Sequence, residues 1–223
     1  MKIALDIMSG DKAPNCNING AIKYIKNPKS KDTHVVLYGT EQILKNNAKI
    51  IKQYPNRISY KITKEIITMD DKPSYAFKNK RNSSLIKIID DLNVKDVSGA
   101  ISSGNTGALL ASSLLILGKI EGIKRPALAP YIPIKGSGFI LCDAGANSTV
   151  KPEHLYQFAI MSSAYLEHQG YNNKPRIGLL NIYISPPSGI SGASVALPSM
   201  PGSVGASMPP GSGFIAPPGI CSG

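Results

Sequence analysis

Short apolar runs and helical segments alternate along the first 182 residues, and this alternation constrains the fold more than any other feature. The apolar runs predict strands at 2–7, 34–38, 58–62, 97–102, 128–134, 139–142 and 176–182. The spacing of apolar residues between them predicts helices at 18–25, 41–53, 74–80, 84–92, 106–117 and 152–168. Because strands separated by helices are typical of parallel sheets, we expect an α/β fold with helices on both faces of a mostly parallel sheet.

The segment Ile101–Leu110, with the sequence ISSGNTGALL, has the pattern of a strand end, a tight turn of small residues and a helix start. Such a turn directs free backbone N–H groups and the positive end of a helix dipole towards one point, which suits phosphate. Its spacing fits neither the Walker A nor the GxGxxG motif, and the P-loop lysine is missing. The predicted phosphate-binding residues are Ser102, Ser103, Gly104, Asn105, Thr106 and Gly107. The alternative is a helix cap that satisfies only its own backbone.

Two further loops of small residues, 6–11 and 143–147, also follow predicted strands. In parallel sheets, ligands bind beyond the carboxyl ends of the strands, so we expect all three loops to converge in one crevice. The residues predicted to face substrate there are Asp6, Ser9, Gly10, Asp11, Asp143, Gly145 and Asn147. For the first loop the alternative is turn chemistry, with Asp11 capping the next helix.

Three side chains near these loops are candidates for a catalytic role: Asn105, Lys151 and His154. Asn105 offers amide donors within the turn. Lys151 suits pairing with an oxygen of phosphate or of an acyl phosphate. His154 suits general acid or base chemistry, although a single histidine near a helix start more often caps or packs.

The net charge of +11 lies entirely before residue 183, and a basic surface favours anionic partners. The cluster of Lys78, Lys80 and Arg81 suits docking of an acidic protein. The alternative is a set of solvated faces, because the lysines are scattered along the chain. No basic stripe interleaved with aromatic residues is present, so nucleic acid is not predicted as a partner.

The cysteines Cys16, Cys142 and Cys221 form no CxxC pair, so the sequence predicts no zinc site. Asp6 interrupts the first apolar run, which argues against a signal peptide. The longest apolar run, 108–117, is too short to cross a bilayer. These observations predict a cytoplasmic protein.

The segment 183–223 differs in kind from the rest of the chain, because it is rich in Pro, Gly and Ser and contains no charged residue. Such a segment cannot bury enough apolar surface to offset its ordering entropy, so we expect disorder. The sequence therefore predicts an α/β domain at 1–182, followed by a disordered tail at 183–223. The abrupt change indicates a frameshift, a chimeric gene or a truncation, with a natural flexible linker as the alternative.

Seven segments in order along the chain resemble the PlsX family, the phosphate acyltransferases of bacterial phospholipid synthesis. They are KIALDIMSGDKAP at 2–14, MDDKP at 69–73, SGNTGALL at 103–110, RPALAP at 125–130, DAGAN at 143–147, KPEHL at 151–155 and RIGLLNI at 176–182. Ser9 stands where the family usually has glycine, and Lys12 where it usually has histidine. Family members continue well past residue 183 with further strands and helices, so the resemblance covers an N-terminal portion.

The resemblance implies a reaction in which acyl-[acyl carrier protein] and inorganic phosphate give acyl phosphate and free carrier protein. It implies a Rossmann-like three-layer sandwich, similar to phosphotransacetylases and isocitrate-dehydrogenase-type enzymes. A homodimer, loose association with the inner face of the membrane and a link to glycerol-3-phosphate acyltransferase are also implied, with no metal or organic cofactor. Two alternatives stay open: a phosphotransacylase acting on acyl-CoA, and an inactive fragment that only binds phosphate or a partner.

Overall fold

The computed structural model describes residues 1–135, 137–170 and 174–180. They belong to two units, Met1–Lys119 and a second unit that begins at Ile120. The tail predicted at 183–223 lies outside the described residues.

The first unit is built on a four-stranded parallel sheet with the strand order β3-β2-β1-β4. Its strands are β1 (Lys2–Asp6), β2 (His34–Thr40), β3 (Ile58–Thr63) and β4 (Gly99–Ile101). Leu5 of β1 pairs with Ile101 of β4. The four apolar runs before residue 103 therefore form strands, as predicted, and the α/β fold is confirmed.

Helices cover both faces of this sheet. They are α1 (Asn15–Ile25), α2 (Glu41–Asn46), α3 (Ala48–Ile51), α4 (Pro73–Asn79), α5 (Ser84–Asn93) and α6 (Thr106–Ile116), with a 3-10 turn at Pro28–Ser30. Adjacent strand residues point to opposite faces, so Leu37 packs against α1, α2 and α3, while Tyr38 packs against α5 and α6. The two cores on opposite faces give the expected three layers.

The helix predicted at 41–53 is interrupted at Asn47, which was not foreseen. The side-chain amide of Asn47 donates to the carbonyl of Ile43 at 2.9 Å, and its backbone leaves helical geometry. Asparagine competes in this way for backbone hydrogen bonds, so two short helices replace one long helix. Thr40 occupies the N-cap position of α2, but its side chain accepts no capping hydrogen bond.

The second unit contains an antiparallel pair of strands, β5 (Tyr131–Ile134) and β6 (Ser137–Ile140), and the long helix α7 (Pro152–His168). Two strands were predicted here, but as part of a parallel sheet. Their connection is too short for the crossover that parallel strands need, so they form a hairpin. The described residues 174–180 form no strand, which contradicts the prediction for that part of 176–182. None of the described helices is long and apolar enough to span a bilayer.

A charged network joins α5 and the turn after it to the sheet. The ammonium of Lys61 donates to Asp91 and to Asp96, both at 2.7 Å, and Lys2 donates to Asp96 at 3.2 Å. The hydroxyl of Tyr38 also donates to Asp91. The hydrogen bonds from Lys61 and Lys2 lower the pKa of Asp96 below its ordinary value. Burial opposes the charge on Lys61, but its bonds to both aspartates outweigh burial and raise its pKa.

Replacing Lys61 by methionine removes two ion pairs and should lower the free energy of unfolding by about 0.5–1 kcal/mol at neutral pH, because the pairs are partly exposed. The lowered pKa of Asp96 means that this contribution is present above the unfolded carboxyl pKa and is lost as the pH falls through the folded value. In urea unfolding, the difference in unfolding free energy between the wild type and Lys61→Met should therefore become smaller as the pH falls from neutral to about pH 3. Lys64→Met, at an exposed position of the same region, is the control. A constant difference across this range would argue against the network.

Candidate anion-binding site

The carboxylate of Asp6 joins the first two predicted loops at the carboxyl end of β1. Asp6 is completely buried. Its Oδ2 accepts hydrogen bonds from the hydroxyl of Ser9 at 2.5 Å and from the hydroxyl of Ser102 at 2.8 Å. Its Oδ1 accepts from the backbone N–H of Met8 at 2.9 Å. The loops 6–11 and 102–107 therefore meet at one buried carboxylate, which agrees for these two loops with the expectation that loops following strands converge.

Close backbone approach holds the same two loops together. The hydroxyl of Ser103 donates to the carbonyl of Ser9 at 3.0 Å. A Cβ on Gly104 would lie only 2.6 Å from the side chain of Ser9, and a Cβ on Gly10 would lie 2.9 Å from Oγ of Ser103. Gly10 also has a φ of +104°, which side chains rarely adopt. These two glycines are required because no space exists for a side chain.

Asn105 caps α6 and ties the turn to a third segment. Its Oδ1 accepts from the backbone N–H of Ala108 at 2.9 Å. Its amide nitrogen donates to the carbonyls of Thr68 and Met69, both at 3.1 Å, and of Asp71 at 2.8 Å. Both amide hydrogens are thus engaged. Asn105 acts in the structure as a positioning residue: its oxygen caps α6, but its amide also holds another segment, so it does more than satisfy the backbone of its own helix.

The capacity to bind an anion lies in the backbone at the start of α6. The side chains of Ser102, Ser103 and Asn105 are used to build the turn. The backbone N–H groups of Thr106 and Gly107 belong to the first turn of the helix, where no intrahelical acceptor exists. Thr106 is exposed to solvent. Phosphate can therefore reach these N–H groups and the positive end of the helix dipole.

Asp11 does not cap the following helix. The helix α1 begins at Asn15 behind Pro14 and has no side-chain cap, while Asp11 and Lys12 lie exposed beside the turn. The alternative that made Asp11 a cap is therefore wrong.

Asn17 of α1 also supports the site, although no sequence motif marks it. Its amide nitrogen donates to the carbonyl of Ser9 at 2.9 Å and to that of Asp6 at 3.2 Å. This contact fixes the first loop from the helix that follows it. The one sequence signal for this role was the presence of asparagine inside a predicted helix, because asparagine is neutral to unfavourable there unless its side chain makes a hydrogen bond.

The residues predicted to dock an acidic protein differ in their accessibility. The ammonium of Lys80 donates to Asp71 at 2.5 Å and to the carbonyl of Ile66 at 2.9 Å, so it holds the segment that Asn105 also holds. The bond from Lys80 lowers the pKa of Asp71. Lys78 is exposed, and Arg81 lies with its guanidinium 4.6 Å from the centre of the Phe77 ring.

The third predicted loop lies in the second unit and forms a turn of its own. Asp143 has a φ of +65° and Gly145 a φ of +89°. The carboxylate of Asp143 accepts from the side-chain amide of Asn147 at 2.9 Å, and that amide also donates to the carbonyl of Pro126 at 3.0 Å. The convergence of this loop with the other two stays a prediction.

Lys151 and His154 lie at the start of α7. Lys151 is exposed, and its backbone N–H donates to Nδ1 of His154 at 3.0 Å. His154 is 6% exposed, and its Nε2 lies 3.7 Å from Glu153, whose pKa is lowered by a hydrogen bond from Lys124. The imidazole therefore takes part in the helix start, as the alternative interpretation expected, and only Nε2 is left for acid or base chemistry.

Comparison with known proteins decides the family. Residues 1–184 match the family model described as fatty acid synthesis protein. The chain belongs to this family. Curated relatives named phosphate acyltransferase are 43% identical in Bacillus licheniformis, 41% in Bacillus subtilis and 45% in Fusobacterium nucleatum, each over 183 residues. The resemblance read from the seven segments is confirmed.

The chain spans about half the length of the curated relatives it matches. The match covers 82% of the chain and 54% of the relative from Bacillus licheniformis. Among solved structures, the EutD phosphotransacetylase from Staphylococcus aureus aligns with a TM-score of 0.52 at 14% identity, over 76% of this chain and 54% of that one. At this identity the likeness shows the fold alone, and it agrees with the predicted similarity to the fold of phosphotransacetylases.

Gly104→Ala should lower the free energy of unfolding by about 1–3 kcal/mol, because its Cβ overlaps Ser9. Ser9→Gly alone should cost about 1–3 kcal/mol, since a hydrogen bond to a carboxylate is lost. The double variant removes the overlap. Its loss of unfolding free energy, measured by denaturant unfolding, should therefore be smaller than the sum of the two single losses by about 1 kcal/mol or more. Additive costs would contradict the close contact.

Asn105→Ser keeps an oxygen that caps α6 but removes the amide donors to residues 68–71. Hydrogen exchange at the backbone amides of 66–72 should become faster, with the free energy of unfolding lowered by about 1–3 kcal/mol. Asn93→Ser, at an exposed position near the end of α5, is the matched control and should change neither. Unchanged exchange in Asn105→Ser would show that the amide does not hold this segment.

Proposed function

We propose that this chain carries the phosphate-binding part of a phosphate acyltransferase, which moves an acyl group from acyl carrier protein to inorganic phosphate. The observation that carries the proposal is the exposed start of α6, which offers free N–H groups on a turn anchored to the buried Asp6. The names of the relatives support the reaction. The proposed phosphate ligands are the backbone groups of 102–107, with Thr106 and Gly107 foremost.

In the proposed reaction, a phosphate oxygen attacks the thioester carbonyl carbon. A new C–O bond forms, the C–S bond breaks, and the thiolate leaves with its electron pair and takes up the proton that phosphate gives up. Holding phosphate at the turn accelerates the reaction mainly through orientation, because phosphate and the thioester are then fixed in one geometry. Donors near the turn stabilise the oxyanion that forms at the carbonyl. Lys151 and Nε2 of His154 remain the candidates for pairing with phosphate and for proton transfer.

This mechanism needs no nucleophile from the protein. Burial raises the pKa of the Cys142 thiol above its ordinary value, which keeps the sulfur protonated and weakly nucleophilic. Within the described residues, no three His, Cys, Asp or Glu side chains cluster in a way that could hold a metal ion. Phosphate itself is the attacking group.

The remaining proposals concern partners and location. Lys78 and Arg81 are the exposed cations proposed to meet the acidic carrier protein, whereas Lys80 supports the site from inside. By membership of the family we also propose a homodimer in the cytoplasm that touches the inner face of the membrane and supplies glycerol-3-phosphate acyltransferase.

Two rival functions have definite tests. A phosphotransacylase that prefers acyl-CoA would release thiol faster from acyl-CoA than from acyl carrier protein at equal phosphate concentration. The second rival is a chain that only binds phosphate. Such a chain would bind phosphate in calorimetry and release no thiol from either substrate.

Thr106→Pro tests the site directly, because proline is tolerated at the first position of a helix and removes one N–H group. Phosphate affinity measured by titration calorimetry should fall by about tenfold or more, the effect of one hydrogen bond to a charged group. Thr106→Ala removes the hydroxyl but keeps the N–H, so it is the matched control and should bind phosphate nearly as the wild type does.

Equal phosphate affinity in the two variants would show that the N–H of Thr106 does not bind phosphate. Weaker binding in Thr106→Ala than in Thr106→Pro would assign the hydroxyl to phosphate in its place. Thermal unfolding of both proteins should be measured alongside, so that a loss of fold is not mistaken for a loss of binding.

A further inference from the structure

A carboxylate without a partner lies beside the anion-binding turn. Asp11 lines a cavity of about 850 Å³ together with Ser103, Gly104 and Thr106 of the turn, and it is the one carboxylate in the described lining. Asp11 is exposed, and within the described residues no hydrogen bond or ion pair engages its side chain, not even with the neighbouring Lys12. An unpaired negative charge at this point opposes the binding of an anion, unless the anion brings a proton to it.

The backbone around Asp11 is fixed against the turn. A Cβ on Gly10 would lie 2.9 Å from Oγ of Ser103 and 3.6 Å from its carbonyl oxygen, so the residue before Asp11 touches the turn directly. On the other side, the N–H of Ala13 donates to the carbonyl of Gly10 at 3.1 Å, which places Asp11 inside a tight turn of its own. These contacts hold Asp11 in place without using its carboxylate.

Asp6, the other carboxylate of these two loops, is not available to a ligand. It is completely buried, and the hydroxyls of Ser9 and Ser102 and the N–H of Met8 already donate to its oxygens. An ionised carboxylate accepts hydrogen bonds and cannot donate them. Of the two carboxylates, only Asp11 is therefore open to a bound ligand, and a ligand that satisfies it must carry a proton.

We propose that Asp11 selects hydrogenphosphate by accepting a hydrogen bond from its P–O–H group, while the N–H groups of Thr106 and Gly107 hold its unprotonated oxygens. The inference rests on the proposed function, because it concerns the phosphate bound at the turn. Sulfate has the same tetrahedral shape but carries no proton near neutral pH, so its oxygens would meet the carboxylate with no hydrogen between them. Placing like charges together costs free energy, and this cost to the wrong ligand gives specificity.

The same carboxylate distinguishes substrate from product in the proposed reaction. The proton of hydrogenphosphate passes to the leaving thiolate as the C–O bond forms and the C–S bond breaks. The acyl phosphate that remains has no P–O–H group to offer Asp11. The carboxylate therefore favours the binding of phosphate and the release of acyl phosphate.

The test compares the affinities of the full chain for phosphate, arsenate and sulfate by titration calorimetry at mildly alkaline pH. Hydrogenphosphate, hydrogenarsenate and sulfate then carry the same charge, and only sulfate lacks a proton. The wild type should bind phosphate and arsenate about tenfold or more tightly than sulfate, the effect of one hydrogen bond to a charged group. Equal affinity for phosphate and sulfate would overturn the proposal.

Asp11→Asn keeps the size of the side chain, removes its charge and introduces an amide that both donates and accepts. Its preference for phosphate over sulfate should be about tenfold smaller than that of the wild type, because sulfate is no longer repelled. Asp70→Asn, at an exposed position outside the cavity lining, makes the same change of charge and should keep the wild-type preference. An unchanged preference in Asp11→Asn, or the same change in both variants, would overturn the proposal.

Backbone amide shifts recorded in parallel titrations separate this claim from the proposed function. Saturable shifts at 103–107 with equal affinity for phosphate and sulfate would reject the role of Asp11 and leave the anion site standing. No binding of any of the three anions would reject the site together with the inference.

Discussion

The site depends on the hydrogen bonds that the buried carboxylate of Asp6 accepts. A carboxylate without exposure is costly unless it is hydrogen-bonded, and Asp6 meets this need with two serine hydroxyls and one backbone N–H. Two of these donors come from the loop after β1, and Ser102 comes from the loop after β4. The cost of leaving Asp6 unsatisfied therefore forces the two loops together and sets where α6 begins.

The side chains of the turn and its backbone have separate tasks. Ser102, Ser103 and Asn105 hold the turn in place, while Thr106 and Gly107, two exposed residues, supply the N–H groups of the first turn of α6. Asn105 fixes the segment 68–71 against the same turn, and Lys80 holds residues 66 and 71 from the end of α4. Such a site is preorganised, because the donors need not move when an anion arrives.

The architecture of the first unit was predictable from the sequence, because apolar runs and helical spacing report directly on burial. The turn at 101–110 was predictable as well, since small residues between a strand and a helix leave few alternatives. The interruption of the helix at Asn47 was not predictable, because a side-chain hydrogen bond overrode the apolar pattern. The antiparallel pairing of β5 and β6 was not predictable either, because it follows from the short connection between them. The inward roles of Lys80 and Asn17 also escaped prediction, since both depend on contacts between distant segments.

The position of bound phosphate tests the account most directly. Titration of the isotope-labelled chain with inorganic phosphate, followed by the nuclear magnetic resonance shifts of its backbone amides, reports that position residue by residue. The account predicts saturable shifts that are largest at 103–107. Saturable shifts centred elsewhere, or none at the start of α6, would contradict it.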